Sequence, residues 1–323
     1  MKQQAFERDR GDAWEAFRVQ LDGISQGYRL SDGVSAVEFV ANYREACHDL
    51  ALAKSRGYSH MLVARLNELV IQGHNAVYVR RSGYLRSVIN FVRADFPRLV
   101  RDARSYLLVS TLLFFGTGIG VVWAVLLAPE LVYSILSAEQ VASLESMYDP
   151  GASRLGRERQ SDTDFYMFGF YILNNISISF QLFATGLLAG IGTVFYLVFN
   201  GVSIGAVMGH LVGIGYSPTF LPFIAGHGSF ELMAIVISGA GGLMLGHALI
   251  APGTSTRLDA VRTMSRRAIG LVLGAVLMLV VAAFVEAFWS SSTIVPATVK
   301  YGVGIVFWIL VLAYLIFGGR RAA

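Results

Sequence analysis

Hydrophobic and polar positions divide the chain into two kinds of text. Residues 1–104 interleave Arg, Asp and Glu with apolar residues, whereas 105–136 and 166–250 hold long stretches without charge. Within 12–92 the segments VEFVANYREACHDLALAKSR and HMLVARLNELVIQGHNAVYVRR place apolar residues at i, i+3, i+4 and i+7, the period of an amphipathic helix. Ser31–Asp32 offer a cap before the first and Gly57 a stop after it, so the pair is predicted to pack as an antiparallel hairpin. YLRSVINFVRADFPRLVRDAR follows, with Leu85, Val88, Ile89 and Val92 on one face and Arg86 and Arg93 off it. This basic amphipathic segment, 83–96, is read either as an interfacial helix on the inner leaflet or as a helix packed on the hairpin. Pro97 is expected to break or kink the chain at Phe96.

Past this region the pattern turns uniformly apolar. A spanning helix needs roughly 20 apolar residues at about 1.5 Å rise each. Segments of that length predict spans at about 105–127, 166–187, 189–213, 221–249, 268–288 and 299–317. The block 166–213 is too long for one span, and Gly186, Gly190 and Gly192 mark the turn inside it. Ser137 and Gln140 have capping-box spacing, which predicts a short helix in the polar loop at 137–165. The fold class is therefore all-α: a polytopic membrane bundle of about six spans at 105–318, preceded by a cytosolic helical domain at 1–104.

Composition agrees with this division. The 323 residues are 54% hydrophobic and 15% charged, where a soluble domain carries about 25% charged residues. The opening MKQQAFERDRGDAW lacks an apolar core segment, so the first span is expected to direct insertion. The single cysteine, Cys47, excludes an internal disulfide framework and a cysteine-rich metal site. A formal charge of +4 is assigned to cationic membrane borders, not to nucleic acid. Arg257, Arg262, Arg266 and Arg267 in a 257–267 loop, and Arg320 and Arg321 at the end, face the cytosol in a six-span arrangement. Both termini are then cytosolic, and the 137–165 and 289–298 loops lie outside.

Polar groups within the spans are few and expensive. They are Asn174, Asn175, Gln181, Asn200, His210, His227, Glu231, His247 and Glu286. Counting depth along the six spans places His227, Glu231, Glu286, Asn174 and Asn175 in one outward layer, with Asn200 near mid-span. His227 and Glu231 are i, i+4. Pro222 and the Gly226-His227-Gly228 run make the start of span four a bent or re-entrant segment, with a helix N-terminus at Gly228–Glu231. The layer is either an outward-opening site or a hydrogen-bonded lock between helices. A metal there is undetermined by the sequence, since no HExxH-type spacing is present, and no cofactor is implied. Gly201, Gly205, Gly209 and Gly213 repeat every four residues along span three, as Gly242 and Gly246 do on span four. Such stripes let helices approach closely, within one chain or across a homo-oligomer.

The blocks HGSFELMAIVISGAGGLMLG (227–246), NN (174–175), GLLAGIGTVFYLVFNGVSIGAVMG (186–209) and AAFVEAFWS (282–290) resemble the membrane core of the stage II sporulation protein M family. That pattern has an HG–x–x–E segment opening a helix, an Asn-Gly pair closing an earlier one and a glutamate ending a later one. Here these are His227, Gly228, Glu231, Asn200, Gly201 and Glu286. YREACHDLALAKSR (43–56) and RLNELV (65–70) are similar to the longer bacterial members. The resemblance implies residence in the bacterial cytoplasmic (inner) membrane. It also implies a non-enzymatic anchor or scaffold role in a cell-envelope complex, as in the machinery that remodels peptidoglycan during engulfment. Its implied partners are the lipid bilayer and other envelope proteins, among them a MoxR-type ATPase system. Two further functions are weighed beside it. One is a transporter or channel-like protein with an acidic intramembrane site. The other is an intramembrane hydrolase using His227, Glu231 and Glu286, for which Ser229 is the only evident nucleophile.

Overall fold

The computed structural model of the protein describes residues 2–25, 36–78, 84–151, 164–292 and 294–320, and among these every regular element is helical. The chain divides into two compact units, Met1–Val88 and Ile89–Ala323.

The first unit is built on α1 (Gln3–Ser25), α2 (Ala36–Ser55) and α3 (His60–Tyr78). Each presents one apolar stripe: Phe6, Trp14, Phe17 and Leu21; Phe39, Ala46, Leu50 and Ala53; Leu62, Leu66 and Leu69. The three- and four-residue spacings put each set on one helix face, and the three faces close a core of their own. One carboxylate lies inside it. Asp49, 3% exposed, accepts from Trp14 Nε1 at 2.8 Å and Arg10 Nε at 2.9 Å, so its burial is compensated. Arg10 also reaches Glu45 at 2.7 Å. Gly57 turns the chain between α2 and α3 at φ +62°, a conformation that side-chain-bearing residues resist. The anticipated Ser31–Asp32 cap falls outside the described residues. Helix α1 precedes the two hairpin segments, and its Phe6 reaches the core and rests against Trp14 and Tyr58.

The second unit follows α4 (Tyr84–Asn90) through one π-helical turn, Phe91–Asp95, into α5 (Phe96–Asp102). Pro97 sits in the first turn of α5, where its missing N–H costs nothing. The disturbance it introduces is absorbed by the wide turn before it. Val88, Ile89 and Val92 are exposed, whereas Phe96 is 2% exposed and lies over Gly274 of a later helix.

Six of the described helices are long and apolar enough to cross a membrane. They are α6 (Arg104–Leu127), α8 (Asp164–Ala184, continued by a 3₁₀ turn to Leu187), α9 (Ile191–Gly213), α11 (Gly228–Ile250), α12 (Arg257–Val285, continued by a π turn to Ser290) and α13 (Ala297–Phe317). Two shorter helices, α7 (Ala138–Tyr148) and α10 (Ser217–Ala225), lie between spans. The protein is a multi-pass membrane protein. Leu108, Leu112 and Trp123 on α6, Leu273 and Phe284 on α12, and Ile305 and Ile309 on α13 are large, apolar and exposed, as lipid-facing residues are. Helix α11 is the central one: 78% of its most apolar stretch is buried, against 17% for α6.

Glycine sets how closely these helices meet. A Cβ on Gly205 would fall 2.4 Å from Gly118 O, and one on Gly201 would fall 2.4 Å from Phe114 O. Gly209 faces Val122 and Gly213 faces Leu126, so the whole stripe of α9 is spent against α6. Gly242 of α11 abuts Leu182 O, and Gly246 abuts Gly190 in the α8–α9 turn. Gly190 adopts φ +79° there, with Ala189 at φ 53° beside it. Both stripes are therefore filled within one chain.

One expectation needs correction. Residues 257–267 are not a loop but the opening turns of α12, where Thr256 Oγ1 accepts from Asp259 N at 3.2 Å and caps the helix. The arginines there are carried on a helix that projects beyond its apolar stretch. The capping box at Ser137–Gln140 is formed, with both reciprocal hydrogen bonds at 2.9 and 3.2 Å.

Candidate functional site

Contacts between helix ends sort the second unit into two poles. At one, Tyr106 meets His247 at 2.5 Å, Arg101 donates to Leu315 O at 3.0 Å and Arg98 to Gly319 O at 3.0 Å. Tyr314 donates to Val92 O at the same pole. Arg104, Arg257, Arg262, Arg266 and Arg267 open α6 and α12 there. At the other, His210 meets Glu145 at 2.8 Å, Thr219 donates to Tyr148 O at 2.5 Å and His227 meets Ser290 at 3.1 Å.

The candidate site lies at this second pole and arises from a broken helix. Helix α10 stops at Ala225, and α11 begins at Gly228 with His227 at the preceding position. Gly226 is needed at the break, because a Cβ there would fall 2.4 Å from the Trp289 ring. His227 is 4% exposed, with Phe223 edge-on at 5.3 Å and its Nδ1 3.1 Å from Ser290 Oγ. Its Nε2 faces Glu231, whose Oε2 is 3.7 Å away. Glu286 enters from the end of α12, in the first position of the π turn, and is 8% exposed. One ligand-capable atom from each of His227, Glu231 and Glu286 lies within 4.8 Å of the other two. These are the residues that could hold a metal ion.

The asparagines among the remaining sequence-derived candidates bond within their own helices. Asn174 Nδ2 donates to Asn175 Oδ1 at 3.0 Å, so this pair is bonded to itself, and the buried Asn175 Nδ2 has no partner among the described residues. Asn200 Nδ2 donates to Tyr196 O at 2.7 Å, one turn back on its own helix. Gly201, Gly205, Gly209, Gly213, Gly242 and Gly246 take part in the packing described above.

Three residues of this pole escaped the sequence reading. Lys300, 2% exposed, opens α13 and donates from Nζ to Ser290 O at 2.7 Å and Ser292 O at 2.6 Å. Ser290 thus binds His227 through its hydroxyl and Lys300 through its carbonyl. The signal for Lys300 was a lone cation at the start of an apolar run; Ser290, in the run WSSS, gave none. Tyr148, at the end of α7, packs edge-on against Phe220 at 5.0 Å and Phe223 at 5.4 Å. Burial raises its phenol pKa well above the usual value, and the nearby negative charge of Glu286 adds to the rise.

Chemically, the cluster joins one imidazole and two carboxylates in a largely buried setting. A pair of buried carboxylates is unfavourable unless neutralised by a proton, a cation or a partner's cationic group.

Comparison with known proteins bears on both units. A model of a domain of unknown function, DUF8413, matches residues 4–79. No curated protein and no solved structure matches the chain. A model of stage II sporulation protein M matches residues 110–291, more than half of the chain, from the first span through Ser290 and all three clustered residues. By that match, and with six helices able to cross a membrane, the chain belongs to the stage II sporulation protein M family.

Proposed function

We propose that the protein is a non-enzymatic anchor or scaffold subunit of a cell-envelope-associated complex in the bacterial cytoplasmic membrane. The observation that carries this is the separate core of residues 1–88. A module whose stripes from α1, α2 and α3 close on each other is joined in one chain to a six-helix apolar unit. That arrangement suits a protein that holds a partner at a membrane.

The arginine pole supports a sidedness for this reading. Arg98, Arg101, Arg104, Arg257, Arg262, Arg266 and Arg267 gather at the end where α6 and α12 begin and α13 ends. Basic residues next to spans stay on the cytosolic side, so that pole and both termini are cytosolic and the His227 pole faces outward. The N-terminal unit would then engage a cytosolic partner, for which a MoxR-type ATPase system is the leading candidate from the family resemblance. The outward pole would meet other envelope proteins.

The test is crosslinking in intact membranes, purification of the full chain and identification of what comes with it, beside a chain lacking residues 1–88. A stoichiometric partner lost with that deletion supports the anchor reading. A chain that purifies only by itself under several crosslinkers overturns it and favours the transporter reading. Loss of transport in Glu231→Gln would then be the next observation.

A further inference from the structure

We propose that His227, Glu231 and Glu286 form a binding site for one divalent transition-metal ion of the Zn²⁺ or Mn²⁺ class. The inference does not depend on the anchor reading.

Four observations converge. The first is the geometry. His227 Nε2 and Glu231 Oε2 are 3.7 Å apart, and a Glu286 oxygen completes a set within 4.8 Å. A tetrahedral centre with bonds of about 2.1 Å separates its ligand atoms by roughly 3.4 Å. Contraction of at most about 1.4 Å, within reach of carboxylate rotation, closes the set.

The second is the orientation of the imidazole. Its Nδ1 lies 3.1 Å from Ser290 Oγ. An Nδ1–H donating to that hydroxyl leaves the Nε2 lone pair directed at the two carboxylates, the arrangement in which a second partner fixes a metal-binding histidine. Ser290 is itself fixed, because Lys300 holds its carbonyl at 2.7 Å.

The third is an unpartnered group. Glu286 is 8% exposed, and among the described residues it has no hydrogen bond and no ion pair of its own. Its oxygen lies inside the cluster. Lys300 could have neutralised a carboxylate, but its ammonium goes to two backbone carbonyls instead.

The fourth is charge. Two ionised carboxylates and a neutral imidazole sum to two negative charges, which one divalent cation cancels. One nitrogen and two carboxylate donors suit a borderline transition ion better than Ca²⁺, which prefers six to eight oxygens. Bound there, the ion joins the start of α11 to the end of α12 across the break at Gly226–Gly228.

The test uses the full-length chain, purified in detergent with a tag free of histidine, stripped with chelator and reloaded separately with Zn²⁺ and Mn²⁺. Elemental analysis should find about one ion per chain for at least one metal. X-ray absorption should show one imidazole nitrogen with carboxylate oxygens. Glu231→Gln and Glu286→Gln should each lower retained metal at least tenfold. Ser290→Ala keeps all three ligands, removes only the partner of Nδ1, and should weaken affinity about 10- to 100-fold. Less than a tenth of an ion per chain with both metals overturns the site. Full retention in Glu286→Gln also overturns it, as does a spectrum with sulfur coordination, which would report Cys47. If a carboxylate variant is lost during purification, the spectrum of the unaltered chain and the affinity of Ser290→Ala decide the question.

Discussion

Ser290 joins His227 and Lys300: its hydroxyl lies 3.1 Å from His227 Nδ1, and its carbonyl accepts from Lys300 Nζ at 2.7 Å. Three helices that are distant in sequence thus converge on one buried serine at the end of α12. The π turn at Glu286–Ser290 makes this convergence possible. A widened turn rotates the last residues of the helix relative to a regular continuation, and such turns are common at functional sites.

Lys300→Met should test how much that convergence depends on the ammonium. The substitution leaves Ser290 O and Ser292 O without their donor, at roughly 1–3 kcal/mol for each carbonyl left dry. It also removes the cost of burying a charge, which offsets part of the loss. Because Lys300 opens its helix and could extend to the interface in a loosened state, the offset is small. We expect a net loss of about 1–3 kcal/mol in thermal unfolding of the detergent-solubilised chain. Lys300→Arg should recover part of it. An unchanged melting temperature in Lys300→Met would show that the ammonium contributes no net stability.

Close packing of α6 and α9 predicts a contrast between two glycines. Gly205→Val places a side chain against Gly118 O, where even a Cβ would lie at 2.4 Å and the obstacle is backbone. Overpacking of this kind costs about 1–3 kcal/mol, and here the helices must separate to relieve it. Gly116, on α6, has nothing within 4 Å of its would-be Cβ. Gly116→Ala should be neutral or stabilising by up to about 1 kcal/mol, since alanine favours a helix. Comparable melting temperatures for Gly205→Val and Gly116→Ala would contradict the packing.

These two examples show what the sequence disclosed and what it withheld. The four-residue glycine period was visible in one dimension, but the partner face was not: Gly205 could have met another chain until α6 was placed against it. The break before α11 was readable because Pro222, Gly226 and Gly228 act on the local backbone. His227 and Glu231 were readable as a pair through helical spacing, and Glu286 through counted depth. Asn174 and Asn175 share that expected depth and bond each other, a local contact that counted depth does not specify. Lys300 was legible only as a lone cation before an apolar run, and Ser290 not at all. Their roles rest on a π turn and on a chain reversal, neither of which leaves a periodic trace.

The N-terminal unit carries a prediction of its own. Asp49 holds Trp14 Nε1 at 2.8 Å and Arg10 Nε at 2.9 Å while 3% exposed. Asp49→Ala removes the acceptor from both donors at once. A buried indole N–H loses its partner and the Arg10 guanidinium keeps only Glu45, at about 2–4 kcal/mol together. Hydrogen exchange of the full chain should rise across residues 3–78. Exchange in α11 and α12 should not change, because their cores belong to the other unit. Matching increases in both units would show that they unfold as one.

Membrane sidedness can be tested through cysteine chemistry, because Cys47 is the only cysteine in the chain. In a Cys47→Ser background, Val295→Cys places a thiol in the segment between α12 and α13, at the pole of His227 and Ser290. Thr254→Cys places one between α11 and α12, next to the arginine-bearing turns of α12. If the basic pole is cytosolic, a membrane-impermeant maleimide added to intact cells labels the first within minutes. It labels the second only after permeabilisation. The reverse order would invert the molecule and place the His227, Glu231 and Glu286 cluster on the cytosolic face. The cluster would then draw any ion from the cytosol, and residues 1–88 would meet their partner outside.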